Sequence, residues 1–230
     1  MRLAALYSGG KDSTYCIQLA KEMGHSVECL ITMHPLADDS ALFHYPNSWV
    51  TEHLADAMQI PLLGFDVKGT SKEDEVKALS EAISQAKSLY SIEGVVYGGI
   101  SSNFQKQAFE QTCRLHSLQP LAPLWAVEPA KYMNELVDRG LKIIIVGVSA
   151  MGLEKELLGK TIDKELVAVL EKLSRKYGFN LTFEGGEAET MVVDCPLFSK
   201  RLAIQKSSTH WDGQRGIFEI QEASLVDKHV

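Results

Sequence analysis

The sequence lacks a surplus of positive charge and has no long apolar run. Of its 230 residues, 23 are Lys or Arg and 30 are Asp or Glu, so the formal net charge is −7 with His neutral. A protein that mainly holds nucleic acid needs a basic surface to neutralise phosphates. We therefore expect no direct nucleic-acid binding. No stretch approaches the roughly 20 apolar residues that span a bilayer, so we expect no membrane association.

Cysteine is scarce and never paired. The four cysteines are Cys16, Cys29, Cys113 and Cys195, and no CxxC motif occurs. This spacing predicts neither a zinc site nor a dithiol redox site, and it is typical of buried thiols in a reducing compartment. The first ten residues, MRLAALYSGG, contain too few apolar residues for the core of a secretory signal peptide. We therefore expect a cytoplasmic protein.

Strand and helix patterns alternate through residues 1–127. Apolar runs predict five strands, at 3–7, 27–33, 60–67, 94–99 and 118–125. Helical periodicity predicts four helices between them, at 13–23, 51–58, 72–90 and 103–116. Such alternation is typical of βαβ units, so we expect an α/β fold with a doubly wound, parallel five-stranded sheet. The polar, irregular stretch at 36–48 is interpreted as a connection that covers a site.

Residues 128–230 predict a smaller α+β domain, with the boundary near Glu128-Pro129. Helices are expected at 130–139 and from an N-cap at Asp163 to Tyr177. Strands are expected at 142–148, 191–193, 201–205 and 216–220.

A glycine-rich segment lies between the first predicted strand and the first predicted helix. It reads Ser8-Gly9-Gly10-Lys11-Asp12-Ser13. The two glycines allow backbone N–H groups to point at an anion beside a helix N-terminus, and Lys11 adds a cation. A carboxylate would repel phosphate unless a metal lies between them, so Asp12 is the candidate Mg²⁺ ligand.

A glycine turn with a capping serine would explain Ser-Gly-Gly alone, but the full six residues after the first strand favour a phosphate loop. Other nucleotide loops fit poorly. Gly159-Lys160-Thr161 ends like a P-loop, but Glu154 stands where that motif needs glycine, and no G-x-G-x-x-G follows the first strand. The segment resembles the SGGxDS signature of the PP-loop ATP pyrophosphatases, which split ATP into AMP and pyrophosphate. That resemblance implies a PP-loop/HUP-type sheet.

A second segment, Glu184-Gly185-Gly186-Glu187-Ala188-Glu189-Thr190, places three carboxylates beside two glycines. It could be a solvated acidic turn. It could also be an electronegative pocket in which a ligand approaches the backbone closely.

Taken together, the two segments resemble the diphthine–ammonia ligase family of N-type ATP pyrophosphatases, whose second domain carries EGGExET. The resemblance extends over nearly the whole chain. It includes Gly98-Gly99-Ile100-Ser101-Ser102, Gln105, Glu110, Pro123-Leu124-Trp125 and Val146-Gly147-Val148-Ser149-Ala150. Two departures stand out: Ala108 replaces a basic residue of the family pattern, and Ala188 stands where an aromatic residue is common.

The resemblance implies ATP-dependent amidation of diphthine, the modified histidine of elongation factor 2, to diphthamide. The diphthine carboxylate would attack the α-phosphate, and free ammonia would then attack the acyl-adenylate. Free ammonia is expected because the sequence shows no glutaminase domain.

The resemblance also implies the site residues. Lys11 and Asp12 would be catalytic, with Asp12 holding Mg²⁺. ATP would be bound by Ser8, Gly9, Gly10, Lys11, Asp12, Ser13, Gly98 and Gly99. The substrate would be bound by Ser101, Ser102, Gln105, Glu184, Gly185, Gly186, Glu187, Glu189 and Thr190. The glutamates could meet the quaternary ammonium of diphthine, and Trp125 or Trp211 could offer an aromatic face.

Two other functions stay open: a PP-loop ligase that adenylates a small carboxylic acid, and an ATP-binding sensor that does not hydrolyse ATP. Sulfur transfer is disfavoured because the cysteines are solitary. His34, His44, His53 and His210 are possible acid–base groups, but none lies in a spaced pair. The sequence identifies no general base and does not predict the oligomeric state.

Overall fold

Five parallel strands form the first sheet of the computed structural model, which describes residues 1–34, 47–69 and 71–228. The strands are β1 (Arg2–Leu6), β2 (Ser26–His34), β3 (Leu62–Asp66), β4 (Gly94–Val96) and β5 (Gln119–Leu121). Their order is β3-β2-β1-β4-β5, and every neighbouring pair is parallel. The predicted α/β fold with a doubly wound five-stranded sheet is confirmed. Most of the predicted covering connection at 36–48 lies outside the described residues.

Four helices cover the two faces of this sheet. They are α1 (Lys11–Glu22), α2 (Val50–Met58), α3 (Lys72–Tyr90) and α4 (Asn103–Leu115). Strand β1 shows why both faces are apolar, because Leu3 belongs to one core cluster and its neighbour Ala4 to the other. Helices α1 and α2 pack in the first cluster, and α3 and α4 pack in the second.

The second half of the chain contains α5 (Pro129–Asp138), α6 (Lys164–Tyr177) and an antiparallel sheet. Its strands are β6 (Lys142–Val148), β7 (Ala188–Asp194), β8 (Lys200–Trp211) and β9 (Gly216–Asp227), in the order β7-β6-β9-β8. The predicted α+β character is confirmed, but the last two strands are much longer than expected. They pair along their whole length, and their many exposed polar side chains conceal the strand pattern in the sequence.

The two sheets are joined by backbone contacts and a continuous core. The Val192 N–H donates to the Gly9 carbonyl at 2.9 Å, and the Ser199 N–H donates to the Ala57 carbonyl at 2.6 Å. Leu54 of α2 and Met191 of β7 belong to the same buried cluster. Strand β7 therefore lies directly against the glycine-rich loop. Within the described ranges, no helix is both long and apolar enough to cross a membrane.

Candidate active site

The glycine-rich loop turns tightly into α1. Gly9 has φ +78°, and a Cβ there would lie 3.0 Å from Leu54 Cδ1, so both the conformation and the packing favour glycine. Gly10 is the N-cap, and the helix begins at Lys11. This start is two residues earlier than the sequence predicted. Lys11 and Asp12 therefore lie in the first turn of α1, where backbone N–H groups and the positive end of the helix dipole attract anions.

Gly98 packs against the same helix turn from the end of β4. A Cβ on Gly98 would lie 2.9 Å from both the carbonyl carbon of Asp12 and the nitrogen of Ser13. These are backbone atoms that cannot move aside cheaply. The glycine is therefore required where β4 meets the first turn of α1.

A pocket opens between the loop and strand β7. From the first half of the chain, the predicted site residues that line it are Ser8, Gly10, Lys11, Asp12, Ser13, Gly98, Gly99 and Gln105. From the second half, they are Glu184, Glu189 and Thr190. The structure thus brings most of the predicted ATP and substrate residues to one composite pocket. The Lys11 N–H donates to Thr190 Oγ1 at 3.3 Å, which fixes the β7 wall against the loop.

Asp12 is held by two donors from its own chain. Its Oδ2 lies 2.9 Å from Lys11 Nζ, and its Oδ1 accepts a hydrogen bond from the Tyr132 hydroxyl of α5. Burial, followed by the Asp12 charge, raises the pKa of Tyr132 well above its ordinary value. The Tyr132 hydroxyl therefore keeps its proton and remains a donor.

Lys11 is enclosed although it is charged. Its side chain is only 2% exposed, and its Nζ lies 5.5 Å from the centroid of the Phe183 ring. A buried cation needs a nearby anion, and Asp12 supplies one. Phosphate oxygens of a ligand bound in the pocket would therefore lie near the Lys11 ammonium and the Phe183 ring.

Glu184 joins the acidic segment to the first turn of α4. Its carboxylate accepts hydrogen bonds from the Ile100 N–H at 2.6 Å, the Ser102 N–H at 3.1 Å and the Ser101 hydroxyl. Negative charge is favourable at a helix N-terminus. Many of the hydrogen bonds that Glu184, Ser101 and Ser102 can form are therefore made within the protein and not to a ligand.

Glu187 holds the turn of its own segment. Its carboxylate accepts from the Asn180 N–H at 3.0 Å and the Gly185 N–H at 2.8 Å. The Ser149 hydroxyl donates to the Gly186 carbonyl at 2.5 Å. The predicted substrate residues Ser101, Ser102, Gly185, Gly186 and Glu187 are absent from the pocket lining, as is Gly9 of the loop. Their assignment to ligand binding stays a prediction.

The two tryptophans considered as cation faces have other neighbours. Lys106 Nζ lies 4.0 Å from the centroid of the Trp125 ring, so an internal ammonium covers that face. Trp211 ends β8 opposite Gly216.

None of the candidate histidines in the described part of the chain is among the residues that line the pocket. His53 packs edge-on against Trp49, and exposed His210 contacts Glu219 Oε2 at 3.2 Å. His34 ends β2 and is not among the lining residues. His44 lies outside the described residues.

All four cysteines are free and buried. Burial raises the pKa of the Cys29 and Cys113 thiols to about 12 and that of Cys195 to about 11. Burial likewise raises the pKa of Cys16 well above its ordinary value. A sulfur carrier needs a reactive thiolate, and none of these thiols forms one readily.

Tyr132 does not line the pocket but bonds Asp12, which does, and the sequence gave no sign of this contact. It lies among the buried positions of α5 with Met133 and Leu136, where an aromatic residue is normally part of the core. The helical periodicity explains its ring, but it carries no information about the partner of its hydroxyl.

Several lining residues were also missed. They are Leu6, Tyr7, Ile31, Thr32, Met33, Ser48, Thr51, Tyr97, Phe109, Val146, Phe183 and Ala188. Most of them occupy ordinary core or helix-start positions, so their types and spacing gave no signal.

The donor chemistry is compatible with Mg²⁺ held jointly by protein and nucleotide. In the described part of the chain, no cluster of three or more His, Cys, Asp or Glu side chains could hold a metal by itself. Mg²⁺ commonly uses one or two carboxylates together with substrate phosphates and water. Asp12 fits that role because it lines the pocket and its side chain is 27% exposed.

Comparison with known proteins gives concordant matches over both halves of the chain. Residues 1–120 match the diphthamide synthase N-terminal domain, and residues 128–226 match the diphthamide synthase C-terminal domain. Diphthine–ammonia ligase of Mus musculus is 36% identical, covering 90% of this chain and 84% of that protein. The Homo sapiens protein of the same name is 34% identical with the same coverage.

Two further comparisons are more limited. Diphthine–ammonia ligase of Schizosaccharomyces pombe is 32% identical, covering 89% of this chain but 36% of that longer protein. The crystal structure of a predicted subunit of tRNA methyltransferase from Methanocaldococcus jannaschii has a TM-score of 0.44 and 14% identity, covering 85% of this chain and 98% of that one. A TM-score this low supports no conclusion. The family models and the curated relatives confirm the predicted ligase family, and the chain belongs to the diphthamide synthase family.

Proposed function

We propose that this protein amidates diphthine on elongation factor 2 to diphthamide, using ATP and free ammonia and releasing AMP and pyrophosphate. The observation that carries the proposal is the composite pocket, in which Lys11 and Asp12 of the first half face Glu189 and Thr190 of the second. The name diphthine–ammonia ligase, which the similar proteins carry, supports diphthine and ammonia as substrates. In this proposal residues 1–127 bind ATP, and residues 128–230 bind the acceptor.

The phosphates of ATP lie at the first turn of α1. Ser8, Lys11 and Ser13 line the same pocket, and a helix N-terminus together with the Lys11 ammonium favours anions. Gly98 and Gly99 also line the pocket and, having no side chain, allow close approach. The pyrophosphate leaving group gains negative charge in the transition state, so these donors act where that charge develops.

Asp12 would hold Mg²⁺ beside the phosphates. The ion would supply charge neutralisation and would orient the phosphate oxygens for displacement at the α-phosphate. Lys11 and Tyr132 keep the Asp12 carboxylate in place at the pocket wall.

The acceptor carboxylate enters from the side of β7. A carboxylate does not react directly with ammonia because oxide is a poor leaving group. Its attack on the α-phosphate forms a P–O bond to AMP while the bond to pyrophosphate breaks. Ammonia then attacks the acyl carbon, AMP leaves with the C–O bond electrons, and one proton is released from nitrogen. Glu189, which lines the pocket, is placed to meet a cationic group of the acceptor or an incoming ammonium ion.

Diphthine is borne by a cytoplasmic translation factor, so we place the reaction in the cytoplasm. The four free, buried cysteines are compatible with a reducing compartment.

Product analysis tests the proposal. Purified protein is incubated with ATP, Mg²⁺, ammonium and elongation factor 2 that carries diphthine. AMP and pyrophosphate should form in equal amounts, and the factor should lose about one dalton as –OH becomes –NH₂. A parallel reaction with factor that carries unmodified histidine is the matched control and should form no AMP.

Other outcomes would contradict the proposal in distinguishable ways. Substrate-dependent ADP and phosphate would exclude cleavage between the α- and β-phosphates. AMP formation with small carboxylic acids but not with the diphthine-bearing factor would show a small-molecule ligase. ATP binding without any turnover would show a sensor.

A further inference from the structure

Helix α5 lies along α1 and is connected to it by side-chain contacts at successive positions. Tyr132 donates to Asp12, Tyr15 donates to Glu135 at 2.6 Å, and Arg139 donates to both carboxylate oxygens of Glu22 at 2.7 and 2.8 Å. The contacts follow the same order along both helices. An element of the second half of the chain thus supports the helix that begins with the phosphate loop.

The first of these contacts differs from the other two because it reaches a pocket residue. Asp12 lines the pocket, whereas Tyr132 and Tyr15 are 2% and 1% exposed. Lys11 Nζ lies 2.9 Å from Asp12 Oδ2, and the Tyr132 hydroxyl binds Oδ1. With one donor on each oxygen, rotation of the carboxylate about its Cβ–Cγ bond is restricted.

We propose that Tyr132 is a positioning residue: its hydroxyl fixes the Asp12 carboxylate so that the remaining lone pairs face the pocket. This inference rests on the proposed function, because Asp12 there serves Mg²⁺ and ATP. Tyr132 touches neither substrate and acts only through Asp12. Holding a charged group in its working geometry before the reaction avoids reorganisation in the transition state.

Tyr15 provides a matched control. It is a second buried tyrosine in the same helix pair, its hydroxyl also donates to a carboxylate, and its ring centroid lies 6.2 Å from that of Tyr132. Its partner Glu135 is not a pocket-lining residue. Tyr15→Phe and Tyr132→Phe therefore remove the same group from similar surroundings, and only the second affects Asp12.

The kinetic experiment measures AMP formation with diphthine-bearing factor. A hydrogen bond to a charged group corresponds to roughly a 10- to 150-fold change, so Tyr132→Phe should lower kcat by about that factor. The KM for ATP should change far less. Tyr15→Phe should leave kcat close to that of wild type. Equal losses of kcat in the two variants would overturn the proposal, because both would then reflect damaged packing.

A double-mutant cycle separates action through Asp12 from an independent effect. If Tyr132 acts only through Asp12, then Tyr132→Phe should cause no further loss of kcat in an Asp12→Asn background. If Tyr132→Phe lowers the residual rate by the same factor in both backgrounds, the positioning role is wrong.

A binding experiment gives a readout without turnover. ATP binding is measured by equilibrium dialysis at increasing Mg²⁺, with no elongation factor present. Tyr132→Phe should require about tenfold more Mg²⁺ for half-maximal binding, as expected for the loss of one charge-assisted contact. Tyr15→Phe should follow the wild-type curve. Coincident curves for wild type and Tyr132→Phe would overturn the inference.

The two proposals fail separately. If wild-type protein forms no AMP with diphthine-bearing factor, the proposed function fails, and the Mg²⁺ curves still decide the role of Tyr132. If AMP forms normally in wild type but Tyr132→Phe matches it in every measurement, only the positioning role fails. Circular dichroism melting curves of both Phe variants establish that each is folded at the assay temperature.

Discussion

The carboxylate of Glu184 accepts a hydrogen bond from the Ile100 N–H, 84 residues earlier in the chain, at 2.6 Å. Two further donors, the Ser102 N–H and the Ser101 hydroxyl, complete its contacts. The acidic segment is thereby fixed to the start of α4, beside the wall of the pocket. Its first glutamate has a clear role in holding the two halves of the chain together.

Replacing Glu184 by Gln should destabilise the protein. The amide keeps one oxygen that can accept from the two N–H groups, but it loses the charge at the α4 N-terminus and the oxygen that accepts from the Ser101 hydroxyl. We expect a loss of about 1–3 kcal/mol in the free energy of unfolding, measured by urea denaturation. Glu165→Gln is the control, since Glu165 is an exposed glutamate in the first turn of α6. Equal stabilities for wild type and Glu184→Gln would show that these contacts contribute little.

Asp12→Asn should separate nucleotide binding from turnover. The N–H groups at the α1 N-terminus and Lys11 remain, so part of the ATP affinity should be retained. Turnover should fall much further, because the metal acts more on the transition state than on the ground state. Equilibrium dialysis with ATP and a product assay for AMP give the two values. Wild-type turnover in the variant would remove Asp12 from the mechanism.

Glu189→Gln and Glu187→Gln should have different effects. Glu189 lines the pocket, so its loss should weaken binding of diphthine-bearing elongation factor by roughly 10- to 150-fold if it meets the cation. The effect should be smaller for factor with unmodified histidine. Glu187 bonds the backbone of its own turn, so its change should mainly lower the unfolding free energy.

Dissociation constants for both forms of the factor, measured for each variant, distinguish the two roles. If Glu189→Gln weakens both forms equally, or neither, the cation is bound elsewhere. If Glu187→Gln alone weakens the diphthine form selectively, the substrate role predicted for Glu187 from the sequence is supported.

Gly98→Ala should displace the glycine-rich loop by pressing on the first turn of α1. The added Cβ would lie 2.9 Å from two backbone atoms of the first turn of α1, so that turn must shift. We expect a cost of about 1–3 kcal/mol in stability and weaker ATP binding. Gly99→Ala is the comparison variant and should cost less stability. Its Cβ would lie 3.1 Å from the Tyr97 ring, which is a side chain and not backbone. Wild-type ATP affinity in Gly98→Ala would show that the loop position tolerates the shift.

The native protein should resist thiol reagents. Burial raises the pKa of Cys29 and Cys113 to about 12, so neither forms thiolate between pH 7 and 9. Iodoacetamide should label no cysteine of the folded protein over this range and all four after unfolding in urea. Rapid labelling of the folded protein at one site, followed by mass spectrometry, would identify a reactive thiol and reopen sulfur transfer.

The sequence by itself determined the alternating strands and helices, the glycine-rich turn into α1 and the family. These features depend on local periodicity and on short runs of residues whose spacing is fixed by the backbone. It also identified 11 of the 23 residues that line the pocket, because strand ends of a parallel sheet meet at one edge. The boundary near residue 128 stays a prediction, as does substrate contact by Ser101, Ser102 and Glu187.

Only the tertiary structure decided which of these polar groups face the pocket and which hold the chain together. Glu184, Glu187 and Glu189 are equivalent in the sequence, yet Glu184 binds the residues before α4 at the edge of the pocket, Glu187 binds its own turn outside the lining, and Glu189 lines the pocket. Tyr132 appears as one more buried position of α5 until its hydroxyl meets Asp12. The hydrogen-bond partner of a side chain depends on where distant segments are brought by packing, and no local pattern of residues encodes that distance.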